Sequence, residues 1–459
     1  MREQIYKNEQ VNINSGFKLS AFAIPFFVAM HFVFDIGEEA FNLYSPFTEI
    51  IGLHVFFGKL VPPFFNSELI WIFFVLFTLV SQISRIRNSE NLKPAKFSIT
   101  YIYLLLIFFI IPAIYGIFSG GDLSILIIQL RGVLSIPVYF IVGLLAIKST
   151  TDFSRIYIAI FIANVLKSLQ GLYVYFVVQN GSMNGQEYLL EHYSSEYFMT
   201  SLIFVVLYLK LKKRSYPLKL GLVAGSLLIL TAFVLNDRRT SVLGLFVSLA
   251  IVLISELLSP RVSFLKTHFL KLSIATTAFS LGILFSGVLP APLNAIYNKL
   301  QELAFQGRDS FGYHDYRVIE NYNLFENIKN FSIFGTGYGL PIPFKFVEYD
   351  FSFYPYYNTI PHNSFLAVWA LGGILAFSAL STIMAFLVSI FVRIYHAVNP
   401  EIQIFGALGL FQLTRWGVFS IGDIGLSDIR SIMLIGLLAG GLIRIGFKYD
   451  DQNLSKRGF

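Results

Sequence analysis

Residues 361–391 read PHNSFLAVWALGGILAFSALSTIMAFLVSIF. From Asn363 to Phe391 no Asp, Glu, Lys or Arg occurs. A helix crosses a bilayer core with about 18 or more apolar residues. The stretch 363–391 is therefore expected to be a span, and Pro361-His362-Asn363-Ser364 marks the point where a polar interval gives way to membrane. Similar runs lie near 17–35, 67–84, 98–118, 124–147, 153–178, 195–212, 218–236, 239–257, 268–289, 402–421 and 429–446. They do not alternate apolar and polar positions, as the strands of a membrane barrel do. The expected fold class is an all-α polytopic membrane protein of about 12 transmembrane helices. A further apolar segment, 47–65, is interrupted by Lys59 and Pro62-Pro63 and reads as interfacial or re-entrant.

Composition agrees. Of the 459 residues, 55% are hydrophobic and 13% charged, with a mean hydropathy of +0.67; soluble domains carry about 25% charged residues. The absence of cysteine excludes disulfides, thiol catalysis and cysteine-ligated metals. The net charge of +7 points to cytoplasmic loops, not to nucleic acid, because Lys and Arg concentrate on that side of a membrane protein. Residues 1–16 are polar, and the first apolar run, Phe17 to Phe34, is long enough to stay as a span.

The connections alternate in charge. One set carries Arg85, Arg87, Lys93 and Lys96, then Lys148 and Arg155, then Lys210, Lys212, Lys213, Arg214 and Lys219, and later Arg261, Lys266, Arg393 and a tail with Lys448, Lys456 and Arg457. The other carries Glu38, Glu39 and Glu49, then Asp122, then Glu187, Glu191 and Glu196, then the long interval 290–361. The first set is assigned to the cytoplasm. Both termini are then cytoplasmic, and 290–361 is a large periplasmic loop. The chain divides into nine spans over 1–289, the loop 290–361, and three spans with a cytoplasmic tail over 362–459.

Within the loop, Leu293, Ile296, Leu300 and Leu303 recur at helical spacing, as do Val318, Tyr322, Phe325 and Ile328. Each set predicts a short amphipathic helix packed on the membrane domain or its interface. The cluster Phe334-Gly335-Thr336-Gly337-Tyr338-Gly339 predicts a turn. The aromatic run from Phe344 to Tyr357 is poor helix material and is expected to lie as an irregular flap.

Arg131, Lys167 and Arg415 fall inside predicted spans, and Arg238 and Arg239 at a span edge. A charge at the bilayer centre costs about 2.5–3.5 kcal/mol even on insertion scales. One reading is snorkelling of long side chains to the interface. The other is an outward cavity for an anion such as a phosphate or diphosphate, since guanidinium groups fork onto phosphate oxygens. The spans offer these cations no obvious carboxylate partner, which argues against proton relays and cation transport.

Several motifs together resemble the O-antigen ligase and polymerase family of bacterial inner-membrane glycosyltransferases, over roughly residues 220–390. They are Asp237-Arg238-Arg239-Thr240-Ser241 opening a span, Arg317 ahead of the Phe-Gly-Thr-Gly-Tyr-Gly turn, and His362-Asn363-Ser364-Phe365-Leu366 running into Trp369-Ala370-Leu371-Gly372-Gly373. The resemblance implies an all-helical fold similar to the lipid-linked GT-C glycosyltransferases. It implies an enzyme that transfers a saccharide from undecaprenyl diphosphate to a glycan acceptor, with no cofactor, metal or nucleotide sugar. The implied partners are an undecaprenyl-diphosphate-linked oligosaccharide, the acceptor glycan and the lipid bilayer, with a chain-length regulator as a further candidate.

The family's span-edge arginine falls on Arg239, with Arg238 as the alternative. Its loop arginine falls on Arg317, with Arg308 second, and its junction histidine on His362, with His314 a distant second. Fixed cations suit the negative charge that develops on a diphosphate leaving group, and a neutral histidine suits removal of the acceptor's proton. Arg131, Arg415, Lys167, Tyr338 and Asn363 are the further substrate-binding candidates. Blander readings stand beside these: His362 as an interfacial histidine, Arg317 as a solvated position beside Asp315 and Glu320, and the aromatic run as an interfacial belt.

The expected activity is polymerase, joining lipid-linked repeat units into O-antigen or exopolysaccharide. The arginine-x₁₀-glycine pattern of some polymerases is absent at both Arg308 and Arg317. The alternatives are a ligase that transfers the glycan to lipid A core, and a transporter or flippase of a lipid-linked or anionic substrate. Matching interrupted helices in two halves, which would favour a transporter, are not evident.

Overall fold

A computed structural model describes residues 93–178, 194–211, 216–236, 239–257, 316–348, 357–397, 399–423 and 425–456, with the single positions 25, 28 and 181. Among these every regular element is helical: α1 (Lys93–Phe118), α2 (Leu123–Ala146), α3 (Thr150–Tyr173, continuing as a π turn to Val178), α4 (Ser194–Leu211), α5 (Tyr216–Leu235), α6 (Arg239–Leu257), α7 (Tyr316–Asn330), α8 (Ser364–Tyr395), α9 (Pro400–Gly422) and α10 (Ile429–Lys456). Seven of the described helices are long and apolar enough to cross a bilayer, so the chain is multi-pass. Two more, α4 and α6, carry shorter apolar stretches, Tyr197–Leu209 and Ser241–Ser255. The expected spans at 17–35, 67–84 and 268–289, the segment 47–65 and the expected helix at 293–303 lie outside the described residues.

α2, α9 and α10 form the centre of the bundle. Gly440 and Gly143 let α10 and α2 approach to backbone contact: a Cβ at Gly440 would lie 1.9 Å from the Phe140 carbonyl oxygen, and one at Gly143 would lie 2.2 Å from that of Leu437. Such close approach is how helices associate in lipid, where no hydrophobic force separates helix from tail. Around this centre, Tyr157 stacks between Phe204 and Phe405 with centroids 4.9 and 6.0 Å away, joining α3, α4 and α9.

The connections sort into two groups. The α2–α3 and α8–α9 turns meet where the Thr150 hydroxyl donates to Glu401 at 2.8 Å. At the other end, the α1–α2 turn, the segment 331–348 and the α9–α10 connection come together: Asp122 N–H donates to Gly339 O at 2.8 Å, and Leu426 N–H to the Ser364 hydroxyl at 3.1 Å. This is the grouping that the charge alternation predicts.

α8 is interrupted at Gly373, which has φ 69° and ψ −174°. The interruption releases carbonyls and an amide inside an apolar region, where each unmet polar group would cost several kcal/mol. The glycine-rich turn meets them. Thr336 and Gly337 N–H donate to Ala370 O and Leu371 O, both at 2.9 Å, and Ile374 N–H donates to Ser332 O at 2.8 Å. The turn can do so because Gly335, Gly337 and Gly339 have φ of 68°, 98° and 91°, which only glycine adopts at little cost. Gln129 on α2 then clips the loop: its Oε1 accepts from Gly339 N–H at 2.7 Å, and its Nε2 donates to Leu340 O and Thr359 O, both at 3.1 Å.

Two glycines separate strain from collision. Gly120 has φ 93° with open space at its Cβ position, whereas a Cβ on Gly373 would lie 1.9 Å from Ile333 O. Gly120→Ala should lower stability by about 1–2 kcal/mol, the cost of the left-handed region alone. Gly373→Ala should lower it well beyond that, read as the midpoint of thermal unfolding in detergent. Equal shifts for the two variants would show that the turn does not dock against the break in α8.

Candidate active site

α7 presents a polar face to the protein. Glu320, Asn323 and Asn327 are buried, while Val318, Tyr322 and Phe325 are exposed. Of the apolar stripe expected to pack on the membrane domain or its interface, Ile328 is buried and the other three residues are exposed. The polar face is buried because of what α7 holds. Asn323 donates to Phe346 O at 2.7 Å and accepts from Lys345 and Phe346 N–H at 2.7 and 3.0 Å. Asn327 donates to Pro343 O at 2.8 Å. Irregular backbone needs side-chain partners of this kind when it is buried. The segment 341–348 is irregular, as expected for the start of the aromatic run; residues 349–356 lie outside the described residues.

The first turn of α7 meets the start of α8. Asn363 caps α8, its side chain accepting from Leu366 N–H at 3.1 Å. His362, one residue earlier, is 12% exposed at its side chain and sits against Glu320, which is 1% exposed. Nδ1 lies 3.0 and 3.2 Å from the two carboxylate oxygens, and the His362 backbone N–H donates to Oε2 at 3.2 Å. Nε2 lies 3.4 Å from the Tyr316 hydroxyl, and the Tyr316 ring meets the imidazole edge to face at 4.9 Å.

Arg317 joins the same group. Its Nε donates to the Tyr316 hydroxyl at 3.1 Å, and its guanidinium lies 3.9 Å from Asp423, the residue that ends α9. Arg317 is 36% exposed at its side chain and Asp423 only 4%. Ser364 ties the two sides together: its hydroxyl donates to Asp423 O at 3.3 Å and accepts from Leu426 N–H. His362 and Arg317, far apart in sequence, are thereby brought together through Tyr316.

Beneath this layer is a second, fully enclosed polar cluster. Arg415 is 0% exposed; its Nη2 donates to Ser431 at 3.0 Å, and its guanidinium lies 5.4 Å from the centre of the Tyr197 ring. The Tyr197 hydroxyl donates to Asp428 at 2.5–2.6 Å, and Arg430 approaches the same carboxylate at 3.8 Å. Asp428 also caps α10 by accepting from Ser431 N–H at 3.3 Å. The buried Arg415 and Arg430 thus have a carboxylate near them. The carboxylates come from the six-residue connection 423–428, not from the interior of a span.

The other candidates are dispersed. Arg131 is half-buried on α2, beside Gly132, whose Cβ position would lie 1.8 Å from Leu426 O in that connection. Lys167 is buried on α3 near Asn164 and Ser168. Tyr338 is 1% exposed, packed at 6.4 Å from Phe109, and burial pushes its phenol up, which keeps it neutral. It borders a cleft of about 30 Å³ with Gln129, Thr359, Pro361 and Ser364, enough for water and too small for a sugar ring. Arg239 opens α6, and a Cβ at Gly244, little more than a turn later, would lie 3.4 Å from the Arg415 side chain. The Arg239 side chain, Arg238, Arg308 and His314 lie outside the described residues.

Glu320, Tyr316, Asp423, Asp428 and Arg430 were not singled out by sequence reasoning. Glu320 carried a faint signal, three residues after Arg317 on the side of α7 opposite its apolar stripe. Two aspartates within the short 423–428 connection were another.

No curated protein matches the chain. Arg415, Asp423 and Asp428 lie beyond the stretch for which a family is identified. Residues 224–381, which include Arg239, Arg317, Glu320 and His362, match the family model described as O-Antigen ligase, so this stretch is similar to the O-antigen ligase/polymerase family.

Proposed function

We propose that the chain is a polymerase that joins undecaprenyl-diphosphate-linked repeat units into O-antigen or exopolysaccharide at the periplasmic face of the bacterial inner membrane. The observation that carries the reading is the joining of Arg317 and His362 through Tyr316, within the stretch that matches a family of enzymes acting on lipid-linked glycans. In this reading the end of the bundle that gathers Asp122, the 331–348 segment and the α9–α10 connection faces the periplasm.

The chemistry assigns one role to each group. The acceptor hydroxyl attacks the anomeric carbon of the donor sugar, forming the new glycosidic bond. The bond from that carbon to the diphosphate oxygen breaks, and its electron pair leaves with undecaprenyl diphosphate. The acceptor proton passes to His362, the general base. Arg317 and Arg239 stabilise the charge that accumulates on the leaving diphosphate, an electrostatic effect that a partly buried site strengthens. The enclosed cluster around Arg415 adds positive potential from below, without touching substrate.

A ligase that transfers the finished glycan to lipid A core uses the same groups, and the matching family model covers both activities. The acceptor separates the two. Deletion followed by electrophoresis of the lipopolysaccharide should leave the core capped with single repeats for a polymerase. Polymer accumulating on the carrier lipid beside bare core would identify a ligase.

His362→Ala should reduce transfer by about 10²–10⁴-fold, and Arg317→Ala by about 10²–10³-fold, with the protein inserted at normal levels. Normal polysaccharide length and amount in the histidine variant would eliminate the enzyme reading and favour a transporter, which needs no base.

A further inference from the structure

His362 is held at two points by one buried carboxylate. Glu320 is 1% exposed, and it takes both the His362 backbone N–H at 3.2 Å and the ring Nδ1 at 3.0 Å. An ionised carboxylate only accepts hydrogen bonds, so a neutral imidazole in this seat carries its proton on Nδ1. The lone pair is then on Nε2, the nitrogen that faces the Tyr316 hydroxyl and, through it, Arg317. Backbone and ring are fixed together, which sets the direction of the lone pair as well as its presence.

We propose that Glu320 is the positioning residue for the transfer reaction: it selects the His362 tautomer with Nε2 as proton acceptor and steadies the imidazolium that forms when the acceptor proton arrives. The inference rests on the reading of His362 as general base. Its physical content is that a carboxylate, not merely a hydrogen-bond acceptor, is required. A glutamine could keep the bond to the His362 backbone, yet its amide can also donate to Nδ1. That would favour the tautomer with the proton on Nε2, where no base function remains. A purely structural role, anchoring α7 to the start of α8, would be met nearly as well by the amide.

The test uses the full-length protein in detergent with a polyprenyl-diphosphate-linked repeat unit as substrate. kcat and KM are measured for the native protein, Glu320→Gln, Glu320→Ala, His362→Ala and the double variant Glu320→Gln/His362→Ala. Expected is a fall in kcat of at least about 10-fold for Glu320→Gln, as for groups that orient a reacting histidine, with KM within about twofold. The double variant should be no slower than His362→Ala alone, because both act on one step. Nitrogen-15 spectra, with His362 identified by its loss in His362→Ala, should show the Nδ1-protonated tautomer in the native protein and its depletion in Glu320→Gln. Native kcat in Glu320→Gln beside an inactive His362→Ala overturns the role of Glu320 and leaves the base reading intact. Additive losses in the double variant, or an unchanged tautomer, overturn it as well. Full activity in His362→Ala instead removes the base reading itself.

Discussion

The site depends on backbone hydrogen bonding at a broken helix. Within a bilayer each released carbonyl or amide must find a partner in the protein, and α8 releases several at Gly373. The partners available are the amides and carbonyls of residues 332–337, so the glycine-rich turn is bound into the membrane domain. Backbone bonds thus fasten the described base of the long polar interval to α8, and Gln129 fastens it to α2 both where the chain leaves, at 339–340, and where it returns, at Thr359. Pro361 and His362 leave that anchored base directly into α8, so the imidazole inherits the rigidity of the docking.

Electrostatics then divides the polar groups into two layers with different physics. Arg317 and Asp423 pair at 3.9 Å with the arginine partly in solvent, where such a contact contributes little and can exchange for another anion. Arg415, Asp428, Tyr197 and Ser431 are enclosed, and removal of one member would leave another charge or acceptor uncompensated at considerable cost. The outer layer is built for exchange and the inner for permanence. A single short connection supplies an aspartate to each, which fixes their separation.

Hydropathy made the helical plan of the described residues legible because long apolar runs report on partition between lipid and water. The expected spans at 124–147, 195–212, 239–257 and 402–421 correspond to α2, α4, α6 and α9 within two residues. The last helix continues to Lys456, past the expected end at 446, because a helix need not stop where the membrane does. His362 and Arg317 were legible as types and positions through the family's motif. Their partners were not, since Glu320 and Asp423 acquire meaning only from tertiary contact. α7 shows the same limit: periodicity identified its apolar face, whereas its polar face holds loop backbone and an imidazole, contacts that only the fold creates. The interruption at Gly373 was hidden because a glycine pair in an apolar run reads equally well as close helix packing.

The placement of Arg317 and Glu320 three residues apart on α7 has a mechanistic consequence. Side chains at that spacing are neighbours on a helix surface. One helix therefore carries both the carboxylate that seats His362 and the cation beside Asp423. In glycosyl transfer, bond formation at the acceptor oxygen and charge development on the diphosphate lie on opposite sides of one carbon, so the two groups must keep a fixed spacing through the transition state. His362 precedes α8 and Arg317 lies on α7, so Glu320, also on α7, is what ties the imidazole to the helix that carries the arginine. Tyr316 lies between them, its hydroxyl 3.4 Å from Nε2 of His362 and accepting from Arg317 Nε at 3.1 Å, so one hydroxyl group spaces the imidazole from the guanidinium.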